Sequence, residues 1–299
     1  MMDSVIDVFE EHRDLLFAVA YRMLGTAADA EDIVQDAWLR WSAADRADVA
    51  EPKAYLVRIA TNLALDRLRS ARAQRESYVG PWLPEPLLTT PDAGEDVEMA
   101  ESVSIAMLVV LETLSPLERA VFVLREVFGY STGEVAEILD RSEASVRQLA
   151  HRARQHVQAR RPRFATGKEE RRLATARFMD AALGGDINAL MEVLAPEVTL
   201  WTDGGGKVRA ALQTVTGADR VARWLTGVTG RPYAGVAPED MTVHPVELNG
   251  VPGIVINGPA GPITALALDF DATGRVGAIH LVANPDKLRA LAAGRRFPI

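Results

Sequence analysis

Polar and apolar positions follow two different periods along this chain, and the period changes near Leu194. Before it, apolar residues recur every three or four positions, which is typical of amphipathic helices. After it, apolar runs of strand length dominate, and a helical stretch near 218–226 interrupts them. The runs are 198–201, 241–248, 253–256, 263–270 and 276–282. We therefore predict helical domains followed by an α+β domain, in which a long antiparallel meander forms a curved sheet around helices at 169–183 and 187–194.

The stretch 29–41, DAEDIVQDAWLRW, separates apolar from acidic positions most clearly. Wound as a helix, it carries an apolar side made of Ile33, Val34, Ala37, Trp38 and Trp41. The other side is acidic and includes Asp32, Gln35 and Asp36. The acidic side could receive a basic partner, although an acidic helix taken alone is more often a solvated surface.

The next helical stretch, 54–75, is basic where the first is acidic. Its apolar stripe consists of Leu56, Ile59, Ala60, Leu63 and Leu68. Another side carries Arg58, Asn62, Asp66, Arg69 and Arg72. Arginines suit a phosphate backbone, and the amide of Asn62 has the donor and acceptor geometry for base edges. A solvated basic helix is the alternative.

Helix-start signals between 104 and 163 predict a helix-turn-helix. Ser115 and Glu118 form a capping box around Pro116, Ser131 or Thr132 opens the next helix, and Ser142 caps a longer one. That longer helix exposes candidate base readers near its start: Glu143, Ala144, Arg147, Gln148 and His151. Arg152 and Arg154 lie further along, where phosphate contact is expected. A helical hairpin that does not bind DNA is the alternative.

The segment 77–102 is rich in proline, glycine and acidic residues, which predicts an extended connector rather than a packed element. Within it, Pro84 and Pro86 stiffen the backbone, and Trp82 with Leu83 offers apolar area. Either Trp82 closes the edge of the first domain, or the motif docks elsewhere.

Composition limits the protein's class. The 299 residues suffice for two or three domains, and the absence of cysteine excludes disulfides and thiolate zinc sites. We find no signal peptide and no apolar run of membrane length, so we predict a cytoplasmic protein with no membrane partner. The net charge is −8, yet 141–163 holds seven arginines and one acid. Because nucleic-acid affinity depends on local basic charge, the acidic total does not argue against DNA binding.

The helical part resembles bacterial RNA polymerase sigma factors of the extracytoplasmic-function (ECF) class. D-A-E-D-I-V-Q-D-A-W at 29–38 and R-I-A-T-N-L-A-L-D-R-L-R at 58–69 are similar to regions 2.2 and 2.4 of that family. S-P-L-E-R-A-V-F-V-L at 115–124 and E-V-A-E-I-L at 134–139 are similar to region 4.

This resemblance implies three binding surfaces. Asp32, Gln35 and Asp36 would face the clamp helices of the largest subunit of core RNA polymerase. The basic side of 54–75 would contact the promoter −10 element, with loop 42–51 helping to hold a flipped base, and the helix-turn-helix would recognise the −35 element.

The C-terminal part resembles the SnoaL-like branch of the NTF2-like superfamily, fused to a subgroup of ECF sigma factors. The resemblance rests on W-L-P-E-P at 82–86, D-G-G-G-K at 203–207 and N-P-D-K-L at 284–288. It implies a cone-shaped regulatory domain acting in cis. The regulatory residues would be Trp82, Leu83, Pro84, Glu85, Pro86, Asp203, Gly204, Gly205, Gly206, Lys207, Asn284, Pro285, Asp286, Lys287 and Leu288. The expected domains are 1–76, 77–103 as linker, 104–163 and 164–299.

Two other functions remain open from the residues. Asp203 and His280, with Trp201 lining a pocket, could transfer protons in a cyclase or isomerase. The helix-turn-helix alone could serve an ordinary repressor or activator. We expect no metal, no cofactor and no catalysis, and we leave open a small ligand in the C-terminal domain.

Overall fold

The computed structural model describes residues 2–44, 49, 51–89, 102–160 and 168–297, which form two compact units. The first unit comprises Met1–Glu76 and Leu108–Arg161, and the second comprises Ser77–Met107 and Pro162–Phe297. None of the helices in these described ranges is long and apolar enough to cross a membrane.

The first half of the first unit consists of three packed helices. They are α1 (Met2–Leu24), α2 (Ala27–Ala43) and α3 (Pro52–Glu76). The apolar side of α2 is buried as predicted, except that Trp38 is half-buried and packs edge to face on Phe9, with ring centres 5.1 Å apart. In α3, Leu63 is likewise only half-buried, while Val57 and Leu65 complete the core.

The second half of the first unit is the predicted helix-turn-helix. It follows α4 (Ile105–Glu112) and consists of α5 (Pro116–Phe122), α6 (Thr132–Leu139) and α7 (Glu143–Arg160). Both capping boxes form, one from Ser115 with Glu118 and one from Ser131 with Glu134. The predicted buried line of α7 is confirmed: Val146, Leu149, Ala150 and Ala153. The sequence did not indicate the π-helical turn Val123–Val127 that extends α5.

A largely buried cluster of charged side chains joins these two halves. Glu112 accepts hydrogen bonds from Arg75 of α3 and from Arg119 of α5, at 2.5 Å from the latter. The same two guanidinium groups reach the end of α1, where Arg119 donates to the carbonyl of Met23 and Arg75 to that of Leu24. Because every charge in this cluster has a partner, the halves form one unit despite the 31 residues in between that belong to the second unit.

Within the described residues, the second unit contains four α-helices and an eight-stranded sheet. Its helices are α8 (Lys168–Leu183), α9 (Ile187–Val193), α10 (Ala218–Val228) and α11 (Arg289–Ala292), with 3-10 turns at Pro238–Asp240 and Pro285–Leu288. Its strands are β1 (Leu88–Thr89), β2 (Leu194–Asp203), β3 (Val215–Thr216), β4 (Thr242–Leu248), β5 (Val251–Gly258), β6 (Gly261–Phe270), β7 (Val276–Val282) and β8 (Arg296–Phe297).

The strand order is β3-β2-β7-β6-β5-β4-β1-β8. Strands β4 to β7 form the predicted antiparallel meander. The prediction was wrong for β2, which pairs with β7 in parallel instead of antiparallel. The short strands β1 and β8, which also pair in parallel, were not predicted. A parallel neighbour requires a crossover, and the segment containing α10 and the meander provides it for β2.

Candidate functional surfaces

The acidic side of α2 is exposed to solvent. Asp32, Gln35 and Asp36 are all exposed. Arg67 of α3 pairs with Asp32 at 3.1 Å and with Asp29 at 2.6 Å. The hydrogen bond and charge of Asp29 raise the pKa of Arg67 above its ordinary value. Asp36 forms no ion pair within the described part of the chain, and the uncharged Gln35 is exposed beside it.

A cleft of mixed polarity lies beside these acidic residues, between α1 and α2. It is lined by the apolar Ile6, Phe9, Val34 and Trp38 and by the polar Glu10, Arg13, Glu31 and Gln35. Leu39, which is 57% exposed, and Ile6, which is 41% exposed, add apolar area on the same two helices. Apolar area of this kind beside an acidic patch is characteristic of a protein-binding surface.

The basic side of α3 is partly engaged within the first unit. Arg58, Asp66 and Arg69 are exposed, and the last two form an ion pair at 2.8 Å. The amide nitrogen of Asn62, in contrast, lies 3.5 Å from the carbonyl oxygen of Ile138 in α6. Helix α6 therefore lies against the part of α3 that carries the predicted base-reading amide. The side chain of Arg72 and half of the predicted base-holding loop 42–51, namely 45–48 and 50, lie outside the described residues.

The start of α7 presents the predicted base readers to solvent. They are Glu143, Ala144, Arg147, Gln148 and His151, and all are exposed. Arg152 and Arg154 are exposed too, but each lies 3.3 Å from a carboxylate of the same domain, Glu118 and Glu126 respectively. In both pairs the guanidinium group is exposed, so a phosphate could reach it, although Glu118 itself is buried and also accepts hydrogen bonds from Ser115.

Three segments that are distant in sequence meet around the carboxylate of Asp203 in the second unit. This side chain is completely buried at the end of β2. It accepts hydrogen bonds from the hydroxyl of Tyr78 at 2.5 Å, the backbone nitrogen of Leu83 at 2.9 Å and the ammonium of Lys287 at 2.6 Å. The predicted regulatory motifs at 82–86, 203–207 and 284–288 are thus brought together, which the sequence itself did not show.

Lys287 completes the site. Its ammonium also donates to the carbonyl of Leu83 at 2.5 Å and lies 4.1 Å from the ring centre of Trp82. The amide of Asn284 donates to the hydroxyl of Tyr78 at 2.8 Å. We call Tyr78, Trp82, Leu83, Asp203, Asn284 and Lys287 the Asp203 cluster. Burial, followed by the hydrogen bond to Asp203, raises the pKa of Tyr78 above its ordinary value.

Glycine is required within the D-G-G-G-K turn. Gly205 has a φ of +60°, and a Cβ at this position would lie 2.3 Å from the amide nitrogen of Asn284. Outside the buried cluster, Lys207 and Asp286 add an exposed ion pair at 2.5 Å. The turn is therefore closely packed against the N-P-D-K-L segment instead of being a free hairpin tip.

The described first part of the linker, 77–89, is extended but packed, which corrects for that part the prediction that 77–102 would not be a packed element. Residues 83–87 are all buried in the second unit. Asn249, at a φ of +51°, accepts from the backbone nitrogen of Leu87 at 2.9 Å and donates to the carbonyl of Val103 at 3.1 Å. The sequence analysis did not identify Asn249 or Tyr78 as site residues. For Asn249 a signal was available, because the dipeptide Asn249-Gly250 between two apolar runs is typical of a hairpin turn.

The two titratable residues of the enzyme hypothesis, Asp203 and His280, are each paired with a different charged partner. Asp203 is held by Lys287, and His280 lies 3.1 Å from a different carboxylate, that of Asp269. The strand register places Trp201 opposite His280, on the face of the sheet that alternates with Leu281. An apolar cavity in the domain is lined by Leu281 on the other face and contains neither Asp203 nor His280.

Comparison with known proteins identifies the family. Residues 8–74 match the model of Sigma-70 region 2, and residues 104–157 match that of Sigma-70, region 4. ECF RNA polymerase sigma factor SigJ of Mycobacterium tuberculosis is 40% identical over 295 residues, which cover 94% of this chain and 92% of the relative. Probable ECF RNA polymerase sigma factor SigI of the same species is 31% identical over 97% of both chains.

The crystal structure of SigJ has the same architecture. It aligns with a TM-score of 0.75 and 37% identity, covering 95% of this chain and 98% of that one. The chain therefore belongs to the ECF RNA polymerase sigma factors, with two helical sigma domains and a C-terminal SnoaL-like α+β domain. It is a non-enzymatic transcription factor whose partners are core RNA polymerase and promoter DNA.

Proposed function

We propose that the C-terminal domain regulates this sigma factor in cis by holding the linker between its two promoter-binding halves. The observation that carries this proposal is the attachment of both described linker ends to one domain. Tyr78 and Leu83 bind Asp203 near the start of the linker, and Val103 binds Asn249 at its end. The domain therefore holds both the start of the linker, which follows region 2, and the end of the linker, which precedes region 4.

The chemistry of the Asp203 cluster supports a stable attachment. A buried carboxylate would be costly without partners, but Asp203 has a cation and three further donors, from Tyr78, Leu83 and Gly205. The carbonyl of Leu83 and the ring of Trp82 share the same ammonium. Release of the linker would leave Asp203 and Lys287 with fewer partners, so the attachment behaves as a defined state instead of a loose contact.

The polymerase-binding surface in this proposal is the exposed side of α2 together with the cleft between α1 and α2. Asp32, Gln35 and Asp36 supply negative charge and hydrogen-bonding groups, and Trp38 supplies apolar area. A basic helix of the largest subunit is complementary to this combination. Apolar contact would contribute affinity, while charge complementarity would steer and orient the encounter.

Promoter contacts are assigned to α3 and α7. Arg58, Asp66 and Arg69 are exposed on α3 for the −10 element, together with Arg72 by position. Because Asn62 contacts the backbone of α6, its use in −10 recognition requires α6 to move away from α3. The start of α7 would read the −35 element, and Arg152 and Arg154 would exchange their carboxylate partners for phosphates.

Transcription with purified core polymerase tests the regulation. We would compare the full chain with a truncation after Arg163 on the same promoter, at matched concentrations. We expect promoter output to change, because the truncated chain loses Asp203, Asn249 and Lys287 and its linker becomes free. Equal output from both chains over a range of concentrations would contradict regulation in cis, and lack of initiation by both would contradict the surfaces assigned above.

A further inference from the structure

The SnoaL-like domain contains an apolar cavity that the regulation proposed above does not use. The cavity measures about 350 Å³ and lies between the helices and the inner face of the sheet. Its walls include Phe178, Met179, Trp224, Met241, Ile254 and Leu266. Its lining contains no Asp, Glu or His, so the cavity offers binding rather than acid–base chemistry.

A second, polar cavity of about 440 Å³ adjoins the first. The two cavities share Trp224, Val228, Arg231 and Tyr233 as lining residues. The polar cavity also contains Arg209 and Arg223. An apolar compartment therefore lies next to a compartment lined by three guanidinium groups.

Two of these three arginines have no compensating charge. Arg223 pairs with Asp219 one turn earlier on α10, at 2.9 Å. Arg209 and Arg231, in contrast, form no ion pair within the part of the chain that the structure describes. The hydroxyl of Tyr233 donates to the carbonyl of Arg209 at 2.9 Å, which fixes the backbone of Arg209 beside the shared wall. The polar compartment thus has a net positive charge at a defined place.

We propose that these compartments form a binding site for a small amphiphile with a single carboxylate. Its apolar body would occupy the cavity between helices and sheet, and its carboxylate would lie between Arg209 and Arg231. The volume of the apolar cavity falls at the lower end of the range for small-molecule sites, roughly 300–1,000 Å³, which suits a short chain or a small ring system. Met179 and Met241 can adapt the wall to a chain or to a ring.

Binding of defined probes to the full chain tests this site without polymerase or DNA, so its failure and a failure of the proposed regulation are distinguishable. The probes are decanoate and 2-naphthoate, with decanol and 2-naphthol as neutral counterparts, and the measurement is titration calorimetry. We expect at least one carboxylate to bind at one site per chain, about fivefold or more tighter than its neutral counterpart. Absence of binding by both carboxylates, or equal affinity for the neutral compounds, overturns the proposal.

Arginine variants locate the carboxylate end of the ligand. R209Q combined with R231Q should lower carboxylate affinity to that of the neutral counterpart. R220Q serves as the matched control, because Arg220 is exposed on α10 and lines neither cavity, and it should leave binding unchanged. An equal loss of affinity in R220Q would overturn the role of Arg209 and Arg231.

A cavity-filling variant tests the apolar compartment. Ala182→Leu adds a larger side chain to the wall contributed by α8 without removing a contact. We expect it to abolish binding of the carboxylate and of its neutral counterpart while circular dichroism shows an unchanged fold. Full binding by the folded variant would place the ligand elsewhere and overturn the proposal. If that variant does not fold, Ile263→Phe at the sheet wall replaces it with the same expected and contrary outcomes.

Discussion

The networks centred on Arg67 and on Asp203 are both built on ion pairs, but the first is exposed to solvent and the second is buried. Arg67 pairs with Asp29 and Asp32 on a surface where its side chain is 48% exposed. Asp203 pairs with Lys287 where the two side chains are 0% and 8% exposed. Water screens the first network, so its members can exchange partners at little cost, whereas the second is held by the penalty of leaving a buried charge unpaired. The exposed network suits a surface that binds other molecules, and the buried one suits a permanent attachment.

Removing the cation of the buried network should have the largest effect. We expect Lys287→Met to destabilise the second unit by about 3 to 5 kcal/mol, because the Asp203 carboxylate stays buried without its cation. Chemical denaturation of the full chain measures this loss, and amide exchange at 83–87 should report release of the linker. Adding Asp203→Asn should recover part of the loss, since the unpaired charge is then gone. A single variant as stable as the parent would contradict the contribution assigned to this pair.

Glycine substitutions separate backbone strain from close packing in the same domain. Gly205→Ala and Gly185→Ala both place a side chain at positive φ, but only the first brings a Cβ against Asn284. We expect about 1 kcal/mol of destabilisation for Gly185→Ala, from the backbone alone. Gly205→Ala should cost at least about twice as much, measured by denaturation under the same conditions. Equal losses would show that Asn284 moves aside freely and that the D-G-G-G-K turn is not closely packed.

Charge reversal at Asp36, which is exposed on the same helix as Asp29 and Asp32, should change binding and leave stability unaltered. We expect Asp36→Arg to weaken binding of core polymerase about tenfold or more, because the surface would then repel a basic partner. Asp14→Arg is the matched control, since Asp14 is exposed on α1 and does not line the cleft between α1 and α2. Fluorescence anisotropy with labelled chains measures both. Retained affinity in Asp36→Arg would remove α2 from the polymerase interface.

The smallest effect is expected for the exposed ion pairs themselves. Arg67→Gln should change the free energy of unfolding by less than about 0.5 kcal/mol, because both of its pairs are solvated. The comparison with Lys287→Met uses the same denaturation assay. A loss as large as that of Lys287→Met would mean that burial does not distinguish the two networks.

Local patterns predicted the elements of this protein well. The capping boxes at Ser115 and Ser131 define helix starts through bonds to residues three positions on, so the sequence contains all the information required. The strand runs 263–270 and 276–282 match β6 and β7 closely, because each is a largely apolar run of strand length. Domain boundaries within the linker and the roles of the site residues stay predictions.

What the sequence did not predict depends on contacts between distant segments. The apolar run 198–201 predicts a strand, which is part of β2, but it does not indicate that this strand pairs with β7 in parallel. The acidic composition of 77–102 indicated a solvated connector, yet partners at Asp203 and Asn249, more than a hundred residues away, bury its first part. Pairing Asp203 with His280 failed for the same reason: the imidazole of His280 lies 3.1 Å from Asp269, and Asp203 is held by Lys287 from the far end of the chain.

The two attachment points of the linker, at Tyr78 to Leu87 and at Val103, have a consequence for how such proteins can diverge. The segment between Thr89 and Ser102 begins and ends on the same body, so its length does not set the distance between its ends. Doubling a flexible loop adds only about 0.6 kcal/mol of closure entropy. Insertions and deletions there should therefore be nearly neutral, whereas a single inserted residue between Tyr78 and Leu83 would move Tyr78 and Leu83 out of register with the two carboxylate oxygens that hold them.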